Sequence, residues 1–223
     1  MLNKEQLMHQ ISDVVGASLI PPQELPDIQL YVEQMTSYLE DKLGDYVRSG
    51  DEKVFTKAMV NNYTKAGLLP RPVQKKYGKE HMISLIDVFL LKQTLSFQQI
   101  EEVFSLADGP GKLGGAYGLL VDMVNSYRAS YIQQVESRID RVAAQQLDGQ
   151  PLSEREQLFM LIALMSLEAT VNKLVCSRLL DSYVAERQAE EERGKEREKE
   201  EKARRKEKNG ERETPAPAGE QEV

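Results

Sequence analysis

Two long runs of helical periodicity constrain the fold of this chain more than any other feature of its sequence. Apolar side chains recur at the three- and four-residue spacing of a helix face over 117–146 and again over 153–187. Asp148-Gly149-Gln150-Pro151 separates the two runs, as turn residues do. Ser153 and Glu156 have the spacing of a capping box, which marks the start of the second helix. We therefore predict a helical hairpin and a fold that is mostly α-helical.

The second run carries more apolar residues than a single stripe can hold, notably at 158–162. A helix of this kind must be covered nearly all round, which predicts a partner subunit. We therefore interpret 109–186 as a coiled-coil hairpin that makes a homodimer. Only 11 residues between Glu156 and Glu168 lack charge, whereas a spanning helix needs roughly 20, so we predict no membrane segment. The run is expected in a core or a subunit interface, with Cys176 as a small core residue.

Composition excludes several classes of protein. One cysteine among 223 residues allows no internal disulfide and no cysteine-rich zinc site. The two histidines, His9 and His81, leave little for histidine-based catalysis, and no residues have the spacing of a catalytic or metal centre. We therefore predict a protein that is not an enzyme and uses no metal or cofactor. The first residues lack the apolar run of a signal peptide, which predicts a cytoplasmic location.

Proline and glycine clusters divide the remainder of the chain. A group of three prolines, Pro21, Pro22 and Pro26, separates an N-terminal helical segment, 1–25, from the next predicted helix. The joint at 109–115 contains G-x-G-x-x-G, but a helix rather than a strand precedes it, so we interpret it as a hinge. Between these breaks we predict four helices: 28–46 capped by Asp27, 56–66 started by Thr56 and ended by Gly67, 79–93, and 97–106 capped by Ser96.

The C-terminal segment, 187–223, is a charged tail. Between Glu186 and Glu213, 22 of 28 residues are charged, and glutamates stand four residues before lysines or arginines. We predict that this tail extends the preceding helix, frays towards Asn209-Gly210 and becomes disordered where prolines appear.

Charge is distributed unevenly along the chain. The net charge is −7, yet residues 53–82 hold seven basic residues against one acidic residue, so this segment carries +6. A basic island in an otherwise acidic protein is typical of a local nucleic-acid footprint.

The residue order in and after this island is specific. The segment TKAMVNNYTKAGLLP at 56–70 resembles the recognition-helix segment of MerR-type winged-helix regulators. KKYGKEH at 75–81 looks like the end of their wing, and LSFQQI at 95–100 is similar to the start of their next helix. The same span resembles still more closely a bacterial family described only as a domain of unknown function. The resemblance covers 54–106 and implies a MerR-like winged helix-turn-helix domain over 26–108.

Such a domain implies a sequence-specific transcriptional regulator that binds double-stranded DNA as a dimer. The helix from Thr56 to Ala66 would enter the major groove, and the segment 75–79 would contact phosphate. The residues that the resemblance implies as DNA contacts are Thr56, Lys57, Asn61, Asn62, Lys65, Lys75, Lys76, Tyr77 and Lys79.

Three departures from the MerR pattern keep a second hypothesis open. Asn61 and Asn62 replace an arginine and a tyrosine, the wing segment 70–77 is short, and the loop 44–53 is wide. Asparagine can read adenine, although plain solvent exposure explains the two residues equally well. Tyr77 fits the edge of a core as well as a phosphate contact. The alternative prediction is a non-catalytic helical adaptor whose winged helix contacts protein, and no effector is indicated.

Overall fold

The computed structural model describes residues 3–16, 19–47, 53–106 and 114–212. These residues confirm the mostly α-helical prediction, with two short antiparallel strand pairs, β1 with β2 and β3 with β4. The helices are α1 (Lys4–Gly16), α2 (Val32–Leu43), α3 (Lys57–Lys65), α4 (Lys79–Leu91), α5 (Phe97–Ser105), α6 (Gly114–Ala143) and α7 (Glu154–Arg212). The strands are β1 (Leu30–Tyr31), β2 (Lys76–Tyr77), β3 (Gln146–Leu147) and β4 (Gln150–Pro151).

The second predicted helix begins later than the sequence indicates. It starts at Val32, so the prediction that Asp27 caps it was wrong. The two residues before Val32 form β1, which pairs with β2 and sets Tyr31 opposite Lys76. The Tyr31 N–H donates to Gln34 Oε1 at 3.0 Å, which satisfies one free donor at the helix start. Local periodicity could not reveal this strand because its partner lies far along the chain.

The predicted caps of α3 and α5 are confirmed. Thr56 Oγ1 accepts a hydrogen bond from the Met59 N–H at 3.2 Å, and Gly67 ends α3 with a φ of +77°. Ser96 Oγ accepts from the Gln99 N–H at 3.3 Å, and Gln99 Oε1 accepts from the Ser96 N–H at 3.0 Å. This reciprocal pair starts α5.

The main core lies between α2, α3 and α4, and α4 is buried along nearly all of its length. Tyr117 and Val121 of α6 belong to the same core, so packing continues beyond the domain boundary predicted near residue 109. Tyr117 is 1% exposed, and its hydroxyl donates to the Ile20 carbonyl oxygen at 2.7 Å. The segment before α2 is thereby fixed to α6.

We expect Tyr117→Phe to lower the free energy of unfolding by about 1–2 kcal/mol, because the buried Ile20 carbonyl loses its donor while the ring still fills its space. Urea unfolding followed by circular dichroism measures this difference. Tyr183→Phe is the matched control, since Tyr183 is 40% exposed. Equal losses for the two variants would contradict the assigned role of the hydroxyl.

Two smaller apolar clusters lie beside the main core among the described residues. Ile100 and Phe104 of α5 pack with Leu68 and Val88, which attaches α5 to the far side of the main core. Val135, Ile139 and Leu161 form a cluster between α6 and α7, and α1 contributes Leu7, Met8 and Ile11 to it.

Helices α6 and α7 form a helical hairpin in the region where one was predicted, and its role in dimerisation stays a prediction. Asp148 and Gly149, with φ values of 52° and 75°, form the tight turn between β3 and β4. The Ser153 N–H donates to Glu156 Oε2 at 2.8 Å, as expected for the capping box. The chain divides into two compact units, 1–177 and 178–223. In the second unit α7 continues through the charged tail to Arg212, and the predicted disordered end falls outside the described residues.

Most of α7 is exposed in the single chain, so of the two predicted surroundings the core is wrong, and the subunit interface stays a prediction. Phe159 is 70% exposed and Leu167 61% exposed, and Cys176 is also exposed, so the prediction of a core cysteine was wrong. Within the part of the chain that the structure describes, α7 alone has a stretch long and apolar enough to cross a membrane. Only 6% of that stretch is buried.

Candidate nucleic-acid interface

One side of α3 faces solvent, and most of the predicted DNA contacts on this helix lie there. Lys57, Asn61, Asn62 and Lys65 are exposed, and at 100° per residue they occupy adjoining positions on the helix surface. The opposite side, with Met59, Val60, Tyr63 and Thr64, is buried or half-buried. We call the four exposed residues the α3 face. A short helix held by its apolar side thus presents two cations and two amides together.

Tyr63 holds α3 in place by packing against another helix. Its ring stacks on Phe97 of α5, with the ring centres 6.1 Å apart and the planes 21° apart. Burial of the hydroxyl raises the pKa of Tyr63. The contact orients α3 by its buried side and leaves the α3 face uncovered.

The start of α2 connects α3 with the β1–β2 pair. Lys57 Nζ lies 3.0 Å from Glu33 Oε1, and Lys76 Nζ lies 5.8 Å from the centre of the Tyr31 ring. Tyr31 and Glu33 are two residues apart. The start of α2 therefore contacts both elements that are predicted to bind DNA, α3 through Lys57 and β2 through Lys76. The Lys57 ammonium lowers the pKa of Glu33, so the carboxylate is charged and partly neutralises a residue predicted to hold phosphate.

A tight turn precedes β2 and presents Lys75. The Lys76 N–H donates to the Val73 carbonyl oxygen at 2.9 Å, and the two central residues, Gln74 and Lys75, have φ values of 51° and 61°. Two positive φ angles define a type I′ turn, in which Asn-Gly is strongly preferred. Lys75 is exposed at the tip of this turn, in a conformation that its own side chain disfavours.

We expect the double variant Gln74→Asn/Lys75→Gly to raise the free energy of unfolding by about 1 kcal/mol, because both residues then adopt positive φ with less strain. Denaturant unfolding measures the change. Gln145→Asn serves as a control outside the turn, and it should give no gain. A double variant that is less stable than wild type would contradict the type I′ assignment.

Tyr77 is a core residue in the structure. It is 5% exposed, belongs to the main core, and its ring meets the edge of the His81 ring with centres 5.2 Å apart. Its side chain therefore does not face a ligand, and we leave it out of the candidate interface. His81 Nδ1 accepts from the Gly78 N–H at 3.1 Å, so His81 caps α4. Burial lowers the pKa of His81, which favours the neutral ring that this bond requires.

Lys76 and Lys79 lie together on a shallow groove beside α4. Both are half-exposed, and the groove also has Asp27 and Glu80 on its wall. Thr56, by contrast, borders a separate groove with Lys57 and Glu33 between α2 and α3. Its hydroxyl oxygen is already an acceptor for the Met59 N–H, so its first role is to start α3.

Two residues that the sequence prediction missed matter to this surface. Glu33 pairs with Lys57, although nothing in its local sequence distinguishes it from the other acidic residues of α2. Arg71 is exposed between α3 and the Val73–Lys76 turn, and its membership of the basic island was the signal that could have included it. Among the described residues, no group of three or more His, Cys, Asp or Glu side chains could hold a metal ion.

A known protein family matches the part of the chain that carries the candidate interface. No curated protein and no solved structure matches the sequence. None of the comparisons supports the resemblance to MerR-type regulators, which stays a prediction. Residues 20–110 match the family model described as "Domain of unknown function (DUF1836)", and the whole candidate interface lies inside the matched segment.

Proposed function

We propose that this chain is a cytoplasmic, sequence-specific DNA-binding regulator with a MerR-like winged helix-turn-helix, and that it binds duplex DNA as a dimer. The observation that carries the proposal is the α3 face, on which two lysines and two asparagines are exposed side by side. Lys75, at the tip of the Val73–Lys76 turn, supplies further positive charge near the other end of the same basic island. Nucleic-acid interfaces combine such cations with amides that read base edges.

In the proposed complex α3 enters the major groove, which is about 12 Å wide and admits a helix. Asn61 and Asn62 then face base edges, where an amide donates to and accepts from adenine. Lys57 and Lys65 lie at the two ends of the helix, within reach of the phosphates that border the groove. Lys75, Lys76 and Lys79 hold the flanking backbone and set the orientation of α3.

The Lys57–Glu33 pair predicts a variant with increased affinity. Glu33→Gln should strengthen binding to duplex DNA roughly 3- to 10-fold at low salt, because it releases one ammonium for a phosphate and removes a carboxylate that repels DNA. Fluorescence anisotropy with a labelled duplex measures the change. Glu5→Gln changes the net charge equally on exposed α1 and should have little effect.

Unchanged affinity in Glu33→Gln, with tight binding in wild type, would mean that Lys57 does not contact DNA. Salt dependence tests the wider proposal. The logarithm of the association constant should fall steeply and linearly with the logarithm of salt concentration, since lysine–phosphate contacts release counterions. Absence of salt-dependent duplex binding would overturn the proposed function.

One observation favours the alternative of a protein-binding adaptor. Ile28 and Val73 are 65% and 64% exposed beside the Lys76–Lys79 groove, and apolar residues of this kind suit a protein surface better than phosphate. An adaptor of this type binds its partner with little salt dependence and does not retain duplex DNA.

A further inference from the structure

We infer that the exposed apolar surface of α7, together with the adjoining part of α6, is the interface through which two copies of this chain associate. The role of this surface rests on the dimer of the proposed function but not on DNA binding. Five of its residues form what we call the α7 stripe: Met160, Leu164, Leu167, Val171 and Leu174.

The α7 stripe has the geometry of a helix-pairing seam. Its residues alternate at spacings of four and three, which is the a/d pattern of a coiled coil, and they are 38% to 61% exposed. The side of α7 that meets α6 carries different residues, such as Leu161 and Met165. A complete seam is therefore left without a partner helix in the described part of the single chain.

The stripe continues onto α6 across a groove. Tyr127 of α6 lines this groove with Leu167 and Val171 of α7, and its volume is about 480 Å³. Leu119 and Met123, two turns and one turn before Tyr127, are 67% and 70% exposed. The apolar surface of α7 therefore extends onto α6 along one side of this groove.

The size of this surface matches a stable dimer. The five residues of the stripe and the three α6 residues are 38% to 70% exposed. Eight large side chains at this exposure present on the order of 1,000 Å² of mostly apolar surface, against the ~800 Å² per partner of a standard interface. An ordinary monomer seldom exposes one apolar patch above roughly 300–600 Å². A second copy brings a helix with the same seam, and a two-fold pairing of identical surfaces is the commonest form of assembly.

Charges beside the groove argue for protein rather than lipid as the occupant. Length does not separate the two occupants, because α7 has a stretch long and apolar enough to cross a membrane. Arg138 and Glu168 form an ion pair of 2.8 Å on the wall of the groove, and acyl chains would have to cover it. When a helix of a second copy occupies the groove, the Arg138–Glu168 pair can remain at the solvent-accessible rim of the interface.

Complementary charge variants test the inference on the full chain. Analytical ultracentrifugation of wild type should give twice the chain mass of 25.3 kDa. Leu167→Glu/Leu174→Glu and Leu167→Lys/Leu174→Lys should each sediment as monomers with unchanged helical circular dichroism, since both positions are exposed in the single chain. An equimolar mixture of the two variants should recover the dimer, because the substituted seams then attract each other.

A control and a lipid experiment complete the test. Val14→Glu/Ile28→Glu replaces two residues of comparable exposure outside the interface and should stay dimeric. A monomeric wild type, a dimeric glutamate variant, or a mixture that stays monomeric would overturn the inference. Flotation of the wild type with phosphatidylcholine–phosphatidylglycerol vesicles, with loss of flotation in the glutamate variant, would also overturn the inference. Lipid rather than a second copy would then cover this surface. A dimer that binds no DNA would overturn the proposed function alone.

Discussion

Lys65→Glu/Lys75→Glu should weaken binding to duplex DNA by at least roughly 100-fold at moderate salt, because two phosphate contacts become two repulsions. The two lysines lie on separate elements, the C-terminal end of α3 and the tip of the Val73–Lys76 turn, and both are exposed. Their replacement should therefore leave the fold intact. The slope of log affinity against log salt should also fall by roughly 1.8, since each contact contributes about 0.9.

The control for this experiment changes the net charge by the same amount elsewhere. Lys42→Glu/Arg155→Glu alters exposed residues on α2 and α7, outside the basic island, and should lower affinity far less. Anisotropy titrations of both variants at several salt concentrations provide the comparison. If the two double variants lose the same affinity, net charge rather than the candidate interface governs binding, and the assigned surface is wrong.

The second large effect concerns Asp87, a carboxyl group within the buried helix α4. Asp87 is 8% exposed, and burial raises its pKa from 3.8 to about 7. Between these values the folded chain holds a proton that the unfolded chain has released. Stability should therefore fall as the pH rises from about 4 to about 7 and change little beyond, with a total cost on the order of 4 kcal/mol.

Asp87→Asn removes this ionisation, so it should abolish most of the stability difference between about pH 5 and pH 8. Urea unfolding of wild type and variant at both pH values measures it. Asp122→Asn, at an exposed position of α6, should keep the wild-type difference. A pH dependence that is the same in wild type and Asp87→Asn would show that another group is responsible.

Features set by local chemistry were predictable from the sequence. Thr56, Ser96 and Ser153 each start a helix through a bond to a residue three positions away, and Gly67 ends one because it tolerates positive φ. The basic island could likewise be recognised by counting charged residues along the sequence. These signals lie within a few residues, so no tertiary information is required to recognise them.

Features set by distant contacts were not predictable. The strand at Leu30–Tyr31 exists because it pairs with Lys76–Tyr77, and that pairing also takes Tyr77 into the core. The Lys57–Glu33 pair depends on how α3 packs against α2. Apolar residues at 158–167 indicate that the helix needs a cover, but periodicity alone does not say whether the cover belongs to the same chain.

Selection of bound fragments from sheared genomic DNA by the purified chain tests whether α3 reads a DNA sequence. We expect enrichment of a sequence motif with two related halves about 34 Å apart, one for each α3 of a dimer. We also expect Asn61→Ala/Asn62→Ala to relax the preference for adenine in each half while retaining the salt dependence. Recovery of no motif, with fragments held in proportion to their length or not at all, would rule out a sequence-specific regulator and favour the adaptor.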